Sequence, residues 1–144
     1  MTRKGLLKRA DDAFGDFVKA RDGYRCVTCG AHGDVTLDCS HVIRKARGHF
    51  LRWQPDNAYC QCRRCHMEHH NVSELRLLRY VEGVLGRDGL DRLRGNEGTV
   101  TQYKDYQLQE LVRFFRQKAA EDGNAAERHL CARNQSLLCG AKKG

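Results

Sequence analysis

The sequence has no long apolar run, a single proline among its 144 residues and no internal repeat. The first absence excludes a membrane-spanning helix, which needs about 20 consecutive apolar residues. The N-terminal residues lack the apolar core and small-residue cleavage site of a secretory leader, so we expect a cytoplasmic protein with no membrane partner. In a reducing compartment, paired cysteines are expected to bind metal rather than to form disulfides.

Acidic residues are in the minority, because 18 Asp and Glu stand against 26 Lys and Arg and give a formal net charge of +8. This excess predicts an anionic partner, and charge alone does not choose between a nucleic acid and an anionic membrane. A chain of this length can bury one modest core. We therefore expect a single domain over residues 1–122, with its core at 22–72, followed by a polar, mobile tail at 123–144.

The spacing of apolar residues predicts an α+β fold. A period of three to four residues predicts helices, and short β-rich segments predict two strands. The predicted helices are Leu6–Ala20, Arg63–His70, Ser73–Leu85 and Tyr106–Ala120, and the predicted strands are Val35–Ile43 and Ala58–Gln61. Gly86 is expected to end the third helix, and Pro55 marks the turn before the second strand.

Four of the eight cysteines form two CxxC pairs. A two-residue gap lets both sulfurs of a pair face one ion, and four thiolates fill the tetrahedral shell that zinc prefers. We therefore predict a structural zinc site at Cys26, Cys29, Cys62 and Cys65. The other cysteines are expected to be unligated, and they are Cys39, Cys60, Cys131 and Cys139. Two alternatives stay open. Cys60 could be a ligand in place of Cys62, because the two share a strand face, although the CxxC spacing favours Cys62. Cys131 and Cys139 could be exposed thiols.

A second group of polar residues lies between and directly after the CxxC pairs. His41 stands near the end of the first predicted strand, Asn57 precedes the second, and His66 follows Cys65 directly. Zinc would draw the hairpin and the helix together, so His41 is expected to face His66 across a small gap that can hold a catalytic cation.

These residues resemble the HNH, or ββα-metal, nucleases, in which a hairpin and a helix form the site and CxxC pairs often brace it. A longer run, Phe14–Arg94, with the motifs RDGYRCVTCG, LRWQPDNAYCQCRRC and YVEGVLGRDGLDRL, is similar to the phage NinG/Rap recombination endonucleases. The resemblance covers most of residues 10–122. It implies a small zinc-braced, treble-clef-like ββα-metal core flanked by N- and C-terminal helices.

The resemblance also implies an endonuclease that hydrolyses DNA phosphodiester bonds with Mg²⁺ or Mn²⁺. His41 would be the general base that takes a proton from the attacking water, a role suited to imidazole. Asn57 would orient His41, and His66 would bind the catalytic cation. The expected products carry a 5′ phosphate and a 3′ hydroxyl.

The chain departs from the family pattern at two positions. Many HNH nucleases have an acidic cation ligand where this chain has Ser40, and Asp38 is the expected replacement, with Asp56, Asn57 or water as alternatives. NinG-like chains commonly have asparagine after the last cysteine, where this chain has His66. His69 and His70 are further candidates on the same helix, although a solvated pair at the helix end is the simpler interpretation.

Basic residues near His41 are predicted to contact DNA phosphates, and they are Arg44, Lys45, Arg47, Arg52, Arg63 and Arg64. Trp53 is equally consistent with a core anchor and with a wedge into branched DNA.

The NinG/Rap resemblance implies that the substrate is a branched recombination intermediate, such as a Holliday junction, a flap or a D-loop. Two other functions stay open: an HNH nuclease that cuts linear duplex, and a zinc module that binds DNA without cutting it. A homodimer is a further option, with the apolar faces of Ser73–Leu85 and Tyr106–Ala120 as the interface, although such faces are more often core.

Overall fold

A computed structural model of the chain describes residues 1–45 and 49–141, with side chains described up to residue 123. Within these residues the elements are α1 Arg3–Arg21, β1 Leu37–His41, β2 Ala58–Cys62, α2 Arg63–Asn71, α3 Leu75–Gly95 and α4 Asp105–Ala141. Two short 3₁₀ turns, Phe50–Trp53 and Pro55–Asn57, precede β2. The predicted α+β class is confirmed.

The two strands form an antiparallel hairpin that runs directly into α2. Leu37 pairs with Cys62, and His41 pairs with Ala58. Every residue of β2 is buried, because this strand lies between the flanking helices. β1 is shorter than the predicted strand Val35–Ile43. Its pairing with β2 begins at Leu37, because β2 ends at Cys62 opposite this residue, and the pairing ends at His41.

The first helix and the last helix pack together and form the largest core cluster. Phe14 of α1 meets Phe115 of α4 edge to face, with ring centres 5.0 Å apart. Leu108 and Val112 of α4 are buried in the same cluster. The apolar stripe of α4 therefore packs within the chain, as the core interpretation of that stripe expects.

A second core cluster lies between the hairpin and α3. Leu77 and Val81 of α3 are buried against Tyr59 and Leu51. α3 is interrupted at Gly86, whose φ of 72° is a conformation that glycine adopts readily, so the predicted break is confirmed. The helix then continues to Gly95, beyond the first predicted end.

α4 continues to Ala141, whereas the apolar period predicts an end at Ala120. Residues 125–128 read Ala-Ala-Glu-Arg, which are strong helix formers, so the backbone stays helical after the apolar stripe ends. The division into a domain at 1–122 and a tail at 123–144 stays a prediction. Among the described helices, none combines the length and apolarity that crossing a bilayer requires.

Candidate metal centre and catalytic site

Four cysteine thiols meet at one end of the hairpin. Cys26 and Cys29 lie on the turn after α1, Cys62 ends β2, and Cys65 lies on the first turn of α2. Their sulfurs all lie within 4.8 Å of one another, and those of Cys29 and Cys62 are 3.8 Å apart. Four sulfurs at about 2.3 Å from a tetrahedral zinc ion are roughly 3.8 Å apart, so the quartet fits zinc. In the described part of the chain, no other group of three or more ligand-type side chains is gathered this closely.

The turn that carries the first two cysteines depends on a glycine. Gly30 has a φ of 78°, and its N–H donates to the carbonyl of Cys26 at 2.9 Å. The Cys26 N–H in turn donates to the carbonyl of Ala31 at 2.9 Å. These bonds close a tight turn after the second cysteine.

The charge state of the quartet also favours a bound cation. Burial opposes ionisation of Cys26, but hydrogen bonds from Thr28 and from neighbouring backbone N–H groups lower the pKa of this thiol to about 6. Burial and the three nearby thiols raise the pKa of Cys65 to about 12. Cys26 therefore ionises readily, whereas ionisation of Cys65 is opposed. A bound dication stabilises the negative charge and removes that opposition.

Cys39 and Cys60 lie opposite each other on the two strands of the hairpin, outside the quartet, and both are free thiols. Burial raises the pKa of each thiol to about 12, so both are neutral at pH 7. The structure thus groups Cys62, and not Cys60, with the metal ligands. Cys131 and Cys139 lie outside the residues whose side chains are described.

The His41 imidazole lies at the end of β1 and is partly buried against α1, where its ring centre is 5.9 Å from that of Phe14. Its Nε2 is 2.9 Å from the carbonyl oxygen of Arg52. A carbonyl only accepts, so Nε2 carries the proton and a neutral ring keeps a lone pair on Nδ1. Burial lowers the pKa of His41 below its ordinary value, so the ring is neutral at pH 7.

Asn57 is fully buried and holds the loop that follows β1. Its Oδ1 accepts from the N–H of Ile43 at 2.9 Å, and its Nδ2 donates to the carbonyls of Ile43 at 2.9 Å and Leu51 at 3.0 Å. These bonds use both amide donors, so Asn57 has no N–H left to donate to His41. Asn57 instead fixes Leu51, the residue next to the carbonyl of Arg52 that binds His41.

A carboxylate on α1 fastens the same segment. Asp11 accepts from Arg52 Nε at 2.9 Å and Nη2 at 2.6 Å, and from the indole N–H of Trp53 at 3.0 Å. Burial raises the pKa of Asp11, but the bonds and charge of Arg52 outweigh it and hold that pKa below its ordinary value. Sequence reasoning missed this contact because nothing local marks two residues that stand 41 positions apart.

This contact changes the interpretation of two neighbouring residues. The Arg52 side chain is only 17% exposed and binds Asp11 through two of its nitrogens, which favours a structural ion pair over the predicted phosphate contact. Trp53 is 3% exposed and hydrogen-bonded to the same carboxylate. Of its two predicted roles, the structure shows the core anchor.

We expect Asp11→Ala to lower the free energy of unfolding by about 2–3 kcal/mol, because it leaves the partly buried Arg52 guanidinium and the Trp53 N–H without their acceptor. Chemical denaturation measures this change. The matched control is Asp12→Ala, which removes only an exposed ion pair with Lys8 and should leave the unfolding midpoint nearly unchanged. Equal effects of the two substitutions would contradict the structural role of Asp11.

His66 and Asp38 are brought together as the sequence predicts. The Nδ1 of His66 is 3.0 Å from Asp38 Oδ2, and both carboxylate oxygens also accept from Arg63, at 2.7 and 3.0 Å. Hydrogen bonds from Arg63 and His66 hold the pKa of Asp38 below its ordinary value, so it is a carboxylate. Nδ1 of His66 must therefore donate, and the lone pair of a neutral ring lies on Nε2.

His69 and His70 are not the solvated pair that the sequence suggested. His69 is 4% exposed, and its Nε2 donates to the carbonyl of His41 at 3.2 Å. The ring centre of His70 is 4.8 Å from that of His66. Burial, followed by the charges of the neighbouring histidines and of Arg44, lowers the pKa of His70 to about 4. The spacing of four residues between His66 and His70 is the sequence signal that would have paired them.

Ser40, Asp56 and Asn57 make no hydrogen bond or ion pair with this cluster among the described residues. Ser40 is fully buried, and its hydroxyl has no hydrogen-bond partner among the described residues. Asp56 is exposed on the turn before β2, and the amide of Asn57 is already committed to the backbone.

Three of the basic residues predicted to contact DNA lie beside the histidines. Arg44 donates to the carbonyl of His70 at 2.9 Å and is exposed. The ammonium of Lys45 is 3.4 Å from Asp11 and half exposed, and the guanidinium of Arg63 is 63% exposed despite its bonds to Asp38. Arg64 is exposed on α2. Arg47 lies outside the described residues.

Comparison with known proteins gives two matches. The family described as the Bacteriophage Lambda NinG protein matches residues 2–124 of this chain. A probable HNH endonuclease of Lactococcus phage SK1 is 33% identical over 58 residues, which are 38% of this chain. The matched part covers 62% of that relative's length, which is less than two thirds of it. No solved structure matches the chain significantly.

Proposed function

The chain belongs to the family of the bacteriophage lambda NinG protein, and we propose that it is a cation-dependent endonuclease that hydrolyses phosphodiester bonds in DNA. The relative named a probable HNH endonuclease supports this activity. The observation that carries the proposal is His41, a partly buried and neutral imidazole whose proton is held on Nε2 by the carbonyl of Arg52. Such a ring is prepared to accept a proton on Nδ1.

We propose that Nδ1 of His41 removes the proton from the water that attacks the phosphorus. The Arg52 carbonyl fixes the tautomer beforehand, and it continues to accept from Nε2 when the ring becomes an imidazolium. Asn57 and Asp11 are positioning residues, since each holds the segment that carries this carbonyl and neither bonds to His41.

We assign the catalytic cation to Nε2 of His66, together with His70. The hydrogen bond from His66 Nδ1 to Asp38 has the form of the carboxylate–histidine pairs that orient metal-bound imidazoles, so Asp38 supports a ligand and is not itself one. When bound, the cation polarises a phosphate oxygen and stabilises charge on the leaving 3′ oxygen. Mg²⁺ demands near-ideal octahedral geometry and gives up its bound water reluctantly, which two imidazole ligands do not favour, so we expect faster cleavage with Mn²⁺.

In the cysteine quartet we propose zinc, as a structural ion with no open coordination position. It would tie the turn after α1 to β2 and α2 and complete an HNH-type ββα-metal core. This ion does no chemistry, but it fixes the helix that carries His66 and His70.

We propose branched DNA as the substrate class, which the resemblance to recombination endonucleases supports. The test compares a four-way junction, a flap and a linear duplex of matched sequence, each end-labelled and incubated with Mn²⁺ or Mg²⁺. We expect the branched substrates to be cut faster. Equal cutting of the linear duplex would favour the general duplex nuclease, and binding without cutting would favour the zinc module.

The pH dependence of cleavage follows from the position of His41. The base works only when neutral, and burial lowers its pKa below the ordinary value of 6.5. The acidic limb of the pH–rate profile is therefore expected to have its midpoint below pH 6.5, with full activity retained at pH 7. Single-turnover rates measured at saturating cation give this midpoint, and a midpoint above 7 would contradict a base whose pKa is lowered by desolvation.

A further inference from the structure

A cavity of about 780 Å³ lies outside the histidine site, within the size range of ligand pockets. It opens between the N-terminal turns of α1, the 3₁₀ turn at Phe50–Trp53 and the segment that precedes α4. Its walls are Arg3, Leu7, His49, Trp53 and residues 101–105. Nothing in the proposed hydrolysis uses this cavity.

The walls combine an apolar floor with a cationic rim. Leu7, Trp53 and Tyr103 form the floor, and the two aromatic rings meet edge to face with centres 5.1 Å apart. The exposed residues Arg3 and Lys104 supply the cations of the rim, where His49 and the carboxylate of Asp105 also lie. Arg3 is held by Asp105 and by the carbonyl of Tyr103, whereas the ammonium of Lys104 makes no hydrogen bond or ion pair within the described residues.

We propose that this cavity receives an unpaired nucleotide of the DNA substrate. The flat base of the nucleotide would stack on the aromatic and aliphatic side chains of the floor, and its phosphate would lie beside Lys104 on the rim. The inference rests on the proposed function and narrows it, because it makes a single-stranded segment near the cut the feature that the protein recognises. A paired base could enter only by leaving its stack, which costs a few kcal/mol.

The cavity is within reach of a strand bound at His41. Arg3, Leu7 and Asp11 follow one another at four-residue spacing along α1, and Asp11 binds Arg52, whose carbonyl holds His41. Eight residues of helix span about 12 Å. A stacked strand advances about 3.4 Å per nucleotide, so the unpaired nucleotide is expected within a few positions of the cut.

The test uses 2-aminopurine, a fluorescent base that is quenched by stacking, placed at successive unpaired positions of a flap DNA. Binding is followed without a catalytic cation, so that no cleavage occurs. We expect quenching at a few positions near the junction and none in the matched linear duplex. Tyr103→Ala should remove the quenching and weaken flap binding by about fivefold or more, with duplex binding little changed.

Two further variants keep the test independent of folding. Lys104→Glu reverses an exposed charge on the cavity rim and should also weaken flap binding, so it decides the question where Tyr103→Ala fails to fold. Arg113→Glu is the matched control, since it makes the same charge change on an exposed α4 residue that does not line the cavity. Equal effects of the two charge reversals would overturn the proposal.

The outcomes separate this proposal from the nuclease proposal. Quenching that depends on Tyr103, with no cutting under any cation, would contradict the nuclease proposal and support the cavity proposal. The opposite outcome is that flaps are cut without quenching and that Tyr103→Ala and Lys104→Glu are as active as the wild type. It would support the nuclease proposal and overturn the cavity proposal. Displacement of the flap by micromolar free nucleotide would also overturn it, because the occupant would then be a mononucleotide and not a strand.

Discussion

Replacement of Cys65 by serine is expected to release the bound metal ion and to unfold the hairpin together with α2. The quartet joins three segments, and within the described part of the chain the cluster around it has only Ala31 and Leu37 as further apolar contacts. The region therefore depends on the ion, and binding at such structural sites contributes about 10–16 kcal/mol to folding in isolated zinc modules. Metal content by mass spectrometry and helix content by circular dichroism measure the two losses together.

Cys39→Ser is the matched control for this experiment. Cys39 also lies on the hairpin, but it stands outside the quartet and is a neutral, partly buried thiol. We expect this variant to keep its metal ion and to melt at a somewhat lower temperature. A Cys65→Ser protein that kept both its metal and its melting temperature would refute the assignment of the quartet.

His41→Ala is expected to lower the single-turnover rate of DNA cleavage by about 10²- to 10⁴-fold, the contribution typical of a general base. DNA affinity should change little, because His41 is partly buried and affinity comes mainly from contacts between exposed basic residues and phosphates. The measurement pairs a quench-flow cleavage assay with a binding titration in the absence of the catalytic cation.

His32→Ala provides the comparison, since His32 is exposed and, among the described residues, hydrogen-bonds to Arg25 and the carbonyl of Gly30 alone. It should cleave at the wild-type rate. A His41→Ala variant that also cleaved at that rate would exclude His41 as the base. A loss of binding that matched the loss of cleavage would instead give His41 a role in substrate contact.

The parts of the fold that were predictable from sequence are those governed by local rules. The CxxC spacing places two sulfurs on one side of a turn, and the four thiols do meet. Helical period places α1, α2 and the first part of α3 close to their observed bounds, and Gly86 breaks α3 where glycine was expected to do so. His41 and His66 lie at the strand end and the first helix turn, as their positions beside the cysteines required.

The parts that were not predictable depend on contacts between distant segments. The sequence around Asp11 does not indicate that this carboxylate binds Arg52. No spacing rule predicts that the amide of Asn57 hydrogen-bonds to the backbone of Ile43 and Leu51. The prediction for His70 failed for a different reason. Its spacing from His66 was visible, but burial against the neighbouring histidines depends on how α2 packs on the hairpin.

The most direct test of the central claim is a cleavage assay with zinc-loaded protein on four-way junction and flap DNA, with Mn²⁺ or Mg²⁺ added or omitted. We predict cutting only when the cation is added, ends that carry a 5′ phosphate and a 3′ hydroxyl, and an unchanged zinc content. Protein that retains its zinc and binds these DNAs, yet leaves every strand intact with either cation, would contradict the nuclease and leave a DNA-binding zinc module.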